Sequence, residues 1–198
     1  NMIDTVRYVV AVFVVVTIPL ICFFWLFIHP FAKFWRKIES WWTYGILFSL
    51  FVPVIFVLYY YREFLIGTNY GFHPILSITG LVFYFVAVVI YLKRREYLTN
   101  KIMLGYPEIS EKGYPGKLLT EGIYSQIRHP RYVEIQLSFI GYSLFANFLG
   151  AYILTFILIP ALYITVLFEE KELIERFGED YIKYSKSVPR FFHKIKFK

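Results

Sequence analysis

The 198-residue chain has one cysteine, Cys22, and only 18% of its residues carry charge. A single cysteine rules out a disulfide or a multi-cysteine metal site within one chain. Cys22 lies in the middle of an apolar run, where a free thiol acts as a small packing residue. Charge this sparse is too low for an ordinary soluble domain of this length. No two histidines stand at the spacing of a helical zinc site, so a zinc hydrolase is not expected and no metal is assigned. His29, His73 and His193 are isolated and carry no assigned role. Neither Gly-x-Gly-x-x-Gly nor a P-loop occurs, which excludes the soluble-type nucleotide folds as far as motifs can. No basic motif of a nucleic-acid-binding fold is present, and there are no repeats or low-complexity tracts.

What the chain does have is long apolar runs. Residues 6–28, 41–61, 74–92, 132–149 and 151–168 are almost free of charge, the exceptions being Arg7 and Glu134 near the starts of their runs. Runs of about 18 or more apolar residues read as membrane-spanning helices. The expectation is therefore an all-α integral membrane protein with five transmembrane helices. The last two share only a short turn at 147–150 and form a tight helical hairpin. The first run is too long for a signal peptide and lacks a small-residue cleavage site, so it reads as a retained span. Asn1 before Met2 reads as an expression scar, with Met2 as the native start. Pro19 and Pro53 lie inside spans and can kink them. Trp41, Trp42, Tyr59, Tyr60 and Tyr61 bracket the second span like interfacial aromatic belts.

Charge gives the orientation. With five spans, nineteen of the 21 Lys and Arg residues fall on one side and only Arg7 and Arg62 on the other. The positive-inside rule then places the N-terminus outside and the C-terminus in the cytosol, in the plasma membrane if the source is prokaryotic. The net charge of +7 speaks to anionic lipid headgroups rather than nucleic acid. Two regions follow: a three-helix transmembrane part over 1–92, and a part over 93–198 holding most of the polar chemistry. The one long loop, 93–131, is cytosolic and punctuated by Gly105, Pro107, Gly113, Pro115, Gly116 and Gly122, so its middle is expected to be irregular. Leu118, Leu119, Ile123, Tyr124 and Ile127 give it apolar side chains to bury. In 169–184, Leu173, Phe177, Tyr181 and Tyr184 recur at helical spacing, which predicts an amphipathic helix on the membrane surface or folded over the loop. A basic tail follows.

Two polar clusters bracket the hairpin. Before it runs Gly122-Ile-Tyr-Ser-Gln-Ile-Arg-His-Pro-Arg-Tyr132, and after it come Glu169 and Glu170. One down-and-up passage should bring both to the same membrane face. Pro130 suits the first position of a helix, which puts Arg128 and His129 at its N-terminal end, where free N–H groups and the helix dipole favour an anion. A helix cap with an arginine snorkelling to phosphate is the structural alternative. Carboxylates at a helix C-terminus oppose the dipole. Glu169 and Glu170 are therefore either the first solvated residues after the span or acceptors for ligand hydroxyls or a ligand cation. Tyr124 and Tyr132 are belt tyrosines, or aromatic faces for a sulfonium or ammonium. No nucleophile–base pair is evident, so no catalytic residue is assigned.

The run Gly122-x-Tyr124-x-x-x-Arg128-His129-Pro130-x-Tyr132 resembles the signature of the isoprenylcysteine carboxyl methyltransferases and related phospholipid methyltransferases. Glu169-Glu170, Phe177-Gly178-x-x-Tyr181-x-x-Tyr184 and Val188-Pro189 extend the resemblance over roughly residues 112–192. It implies an S-adenosylmethionine-dependent methyltransferase without a Rossmann fold. Its cofactor pocket would be lined by Leu118, Leu119, Tyr124, His129, Pro130, Tyr132 and Glu169, with Arg128 and Glu170 flanking. The implied acceptor is a lipid-tailed carboxylate such as a prenylcysteine. Two positions that bear on the substrate depart from the pattern. Glu134 stands where the family often has glycine, and Thr165 where eukaryotic carboxyl methyltransferases tend to carry arginine. An amine-methylating phospholipid enzyme shares the signature, and Glu134 keeps a local base available to it. A membrane sterol-type reductase using NADPH and a non-catalytic membrane scaffold are the remaining alternatives.

Overall fold

A computed structural model describes residues 1–28, 30–38, 40–97 and 117–192. Gly105, Pro107, Gly113, Pro115 and Gly116 of the long loop, together with His29 and His193, lie outside the described residues. Helix α1 spans Met2–Ile28, α2 Ala32–Trp35, α3 Ser40–Tyr60, α4 Arg62–Ile66 and α5 Pro74–Arg95. A 3-10 turn at Gly122–Ser125 leads to α6, Pro130–Ala146, then α7, Leu149–Phe177, and α8, Glu179–Ser187. Among the described residues there is no β-strand, only an isolated bridge between Asn69 and Phe148.

Among the described residues, four helices are long and apolar enough to cross a membrane: α1, Trp41–Tyr60 within α3, α5 and α7. The protein is thus an all-helical, multi-pass membrane protein. The fourth expected span is α6, which has 17 residues and at about 1.5 Å per residue falls short of the roughly 30 Å hydrocarbon core. It packs on α7 as the other arm of the hairpin. Asn147 closes the turn in the left-handed conformation, φ 58°, and α7 begins at Leu149, so the turn is tighter than the expected 147–150.

The core is formed by α1, α6 and α7. Ala11, Val14, Val15 and Ile18 of α1 meet Phe139 and Ala146 of α6 and Ala151, Leu158, Leu162 and Val166 of α7. Small residues allow this closeness. Helix α5 lies against α6 with Gly80 facing Gly141. A Cβ on Gly80 would sit 2.6 Å from the Gly141 carbonyl oxygen, and one on Gly141 would sit 2.7 Å from the Gly80 oxygen. Many large apolar side chains of α3 and α5 face outward, Phe48, Phe56, Ile75 and Leu81 among them. Lipid is the solvent that tolerates such a surface.

Two expectations about helix limits change. Helix α5 carries the chain to Arg95, so the loop starts later than residue 93. The amphipathic segment 169–184 is not one helix: residues 169–177 prolong α7, Gly178 breaks it at φ 53°, and α8 starts afresh. The apolar stripe survives the break. Leu173 and Phe177 pack with Tyr181, Tyr184 and Val188, and Leu118 of the loop joins them. That cluster seats the polypeptide around the Arg-His-Pro step.

Candidate functional site

The hairpin does bring its two polar ends together. His129 precedes Pro130, the first residue of α6, and Glu169 and Glu170 project from the last part of α7. The His129 Nε2 lies 3.1 Å from Glu170 Oε1, and its Nδ1 lies 3.5 Å from Glu169 Oε2. Arg128 Nη1 is 2.9 Å from Glu170 Oε1. From the C-terminal segment, Arg190 sends Nε and Nη2 to Glu170 Oε2 at 3.0 and 2.8 Å. Three basic groups thus converge on Glu170.

A backbone clamp fixes this arrangement. The Arg128 amide donates to the Pro189 carbonyl at 2.9 Å and the His129 amide to the Arg190 carbonyl at 3.0 Å. The carbonyls of residues 189 and 190 thus take the two amides just before α6, while Glu170 meets the side chains of Arg128 and His129. Gly122 sets the approach to the step: it sits at φ 56°, where glycine is favoured, and a Cβ there would collide with the Tyr97 ring.

His129 is almost fully buried. Burial opposes its charged form, but hydrogen bonding and charge from Glu169 and Glu170 more than offset this, and its pKa lies above the ordinary histidine value. With a carboxylate at each ring nitrogen, the doubly protonated ring is the matching state. Aromatic rings surround it. The Tyr132 and Phe191 centroids are 5.9 and 6.2 Å from the His129 ring, and Phe191 also meets Tyr163 at 6.3 Å. The Tyr181 hydroxyl accepts from Arg128 at 3.4 Å. The Tyr184 hydroxyl, its pKa pushed up to about 12 by burial, donates to the Tyr124 carbonyl at 2.6 Å.

The other residues read from the sequence divide. Tyr124, Pro130 and Tyr132 are buried, Tyr132 against His129, and Leu118 and Leu119 are half-buried. Thr165 is buried one turn before Glu169 and donates to the Ala161 carbonyl at 2.9 Å, a helix-internal bond. Glu134 is held by Arg94, whose Nη2 and Nε lie 2.6 and 3.1 Å from its Oε2. It is an ion-pair partner rather than an isolated base. Sequence reasoning missed Arg94, Arg190 and Phe191. The only signal for the last two was their position directly after Val188-Pro189.

The donor set suits S-adenosylmethionine. Glu169 offers a partly exposed carboxylate for hydroxyls or a cation, aromatic faces suit the sulfonium and the adenine, and Arg128 suits a carboxylate. Arg128 Nε is buried without a hydrogen-bond partner among the described residues.

A 73-residue stretch is 34% identical to a protein-S-isoprenylcysteine O-methyltransferase of Schizosaccharomyces pombe. It covers 36% of this chain and 31% of that protein, so the likeness spans less than a third of the relative's length. Residues 75–180, more than half of the chain and including both polar ends of the hairpin, match the phospholipid methyltransferase family, and the chain belongs to that family.

Proposed function

We propose that this chain is an S-adenosylmethionine-dependent methyltransferase working at the membrane–cytosol boundary, with a lipid-linked carboxylate as acceptor and a prenylcysteine as its best surrogate. The observation that carries the reading is the convergence of Arg128 and His129 with Glu169 and Glu170 at one end of an apolar hairpin. The His129 end would face the cytosol, with the N-terminus outside, because nearly all lysines and arginines cluster with it. Residues 93–198 would carry the chemistry and 1–92 would frame it.

When bound, the cofactor supplies an electrophilic methyl group on a sulfonium. The chain's task is then to bind and align. Glu169 would hold cofactor hydroxyls or its ammonium, Arg128 its carboxylate, and Tyr124, Pro130 and Tyr132 would wall the pocket, with Leu118 and Leu119 at its edge. Glu170 would fix Arg128 and His129 in place. A carboxylate acceptor is ionised at neutral pH and needs no general base, so proximity and orientation are enough.

A second reading, amine methylation of a phospholipid, is favoured by the family match itself. The test offers purified protein a farnesylcysteine and an ethanolamine lipid with methyl-labelled cofactor. Base-labile label in the farnesylcysteine is expected. Base-stable label in the lipid alone would overturn the carboxylate assignment in favour of the amine.

A further inference from the structure

Arg94 and Glu134 form a second charged pair at the His129 end, between α5 and α6. Arg94 is only 2% exposed. Glu134 takes its Nε and Nη2 on a single oxygen, Oε2. The Tyr91 ring lies 5.4 Å from the guanidinium carbon. Arg94 Nη1 is buried and meets no acceptor among the described residues. Glu134 is 16% exposed along its side chain, and both of its bonds to the guanidinium fall on Oε2. The pair is therefore neutral as a whole, yet it sets an unsatisfied buried donor beside a partly exposed carboxylate. A buried N–H of a charged group left without a partner costs far more than an ordinary lost hydrogen bond, so a ligand that satisfies it is strongly favoured.

The location ties the pair to the reaction. Glu134 stands one helical turn after Pro130, and the Tyr124 hydroxyl is within electrostatic reach of both Arg94 and Glu169. A bare carboxylate would satisfy Arg94 but face the negative charge of Glu134. A bare ammonium would meet the reverse conflict. A group carrying both signs within a few bonds answers both partners together.

We infer that Arg94 and Glu134 form the acceptor-headgroup subsite and select a zwitterionic headgroup, its anion on Arg94 and its ammonium on Glu134. This rests on the acceptor reading above and narrows it. The α-amino-acid end of a free prenylcysteine and the phosphoethanolamine of a phospholipid share this chemistry.

The test measures equilibrium binding to the full chain in detergent, with S-adenosylhomocysteine present. Two matched pairs distinguish the sources: S-farnesylcysteine against S-farnesyl-3-mercaptopropionate, and phosphatidylethanolamine against phosphatidylethanol. Within at least one pair, the amine-bearing compound should bind about tenfold or more tightly, the size expected of a charged hydrogen bond. Glu134→Gln should reduce that preference to near unity. The double variant Arg94→Gln, Glu134→Gln removes both charges together and so avoids stranding one in the interior. It should bind both members alike while still binding S-adenosylhomocysteine. Equal binding of both members by the unmodified protein, or full preference kept in Glu134→Gln, overturns the subsite. If the preference is present and abolished by Glu134→Gln but no base-labile methyl ester forms, the subsite stands and the carboxylate reading falls.

Discussion

The two ends of the helix bundle each hold an arginine largely out of solvent, and they use it differently. At one end Arg7, with no exposed surface, donates to the Ala146 carbonyl at 3.1 Å, Asn69 Oδ1 at 2.7 Å and Asp4 Oδ1 at 2.9 Å. Asn147 bonds the Gly71 carbonyl at 2.9 Å, and the Tyr70 and Leu149 amides bond back to Asn147 and Thr68. Together these contacts tie α1, the 67–73 loop and the hairpin turn to one another. At the other end Arg128 shares Glu170 with His129 and Arg190, a second carboxylate adjoins, and a segment from the end of the described chain closes over the cluster. The first arginine meets two neutral oxygens and one carboxylate and acts as a bolt. The second stands among several charges of both signs, whose balance a charged ligand can change. Burial of an arginine alone does not mark a binding site; the surplus of mutually compensating charges around Arg128 is what the proposed function takes as its mark.

Breaking the bolt should have the largest effect on stability. Arg7→Leu removes the arginine donor of the Ala146 carbonyl and one of the two donors to Asn69 Oδ1, the Gly71 amide being the other, at a cost on the order of 2–3 kcal/mol. A lowered thermal midpoint in detergent checks this, with S-adenosylhomocysteine affinity kept in the folded fraction.

At the other end, Glu170→Ala removes the carboxylate that Arg128, His129 and Arg190 share. Affinity for S-adenosylhomocysteine should fall more than tenfold, accompanied by a lower thermal midpoint, as calorimetry and melting would show. Arg190→Ala removes one partner only and should leave the core intact. Faster proteolytic cleavage within 188–192 is expected, with affinity reduced a few-fold.

The pH dependence of the His129 contribution is smaller and has a definite sign. Its pKa is raised in the folded protein. The stabilisation is therefore fully present below the ordinary histidine pKa and is lost as pH rises through the folded value. The stability gap between the unmodified protein and His129→Gln should shrink across that window, which melting curves at a series of pH values would show. A gap that widens with pH would contradict the paired, protonated histidine.

Much of the bundle was legible because lipid imposes a simple rule, and apolar runs register it directly. The convergence of His129 with Glu170 followed from hairpin topology alone. Pro130 marked the start of α6 because only the first turn tolerates a missing amide. Less legible was what depends on pairing between distant residues. Nothing near Glu134 in sequence announces Arg94, 40 residues earlier. Arg190 reaches Glu170 only because Gly178 breaks the helix and turns the chain back. Nor does periodicity reveal that break, since Leu173, Phe177, Tyr181 and Tyr184 share one cluster on either side of it.

The comparison between the two ends reduces to one titration. Calorimetry with S-adenosylhomocysteine on the unmodified protein, Glu169→Ala and Arg7→Leu measures whether the His129 end alone carries the cofactor. The account predicts affinity about tenfold weaker in Glu169→Ala, the loss of one charged hydrogen bond, and unchanged in folded Arg7→Leu. Unchanged affinity in Glu169→Ala, or an equal loss in Arg7→Leu, would contradict it.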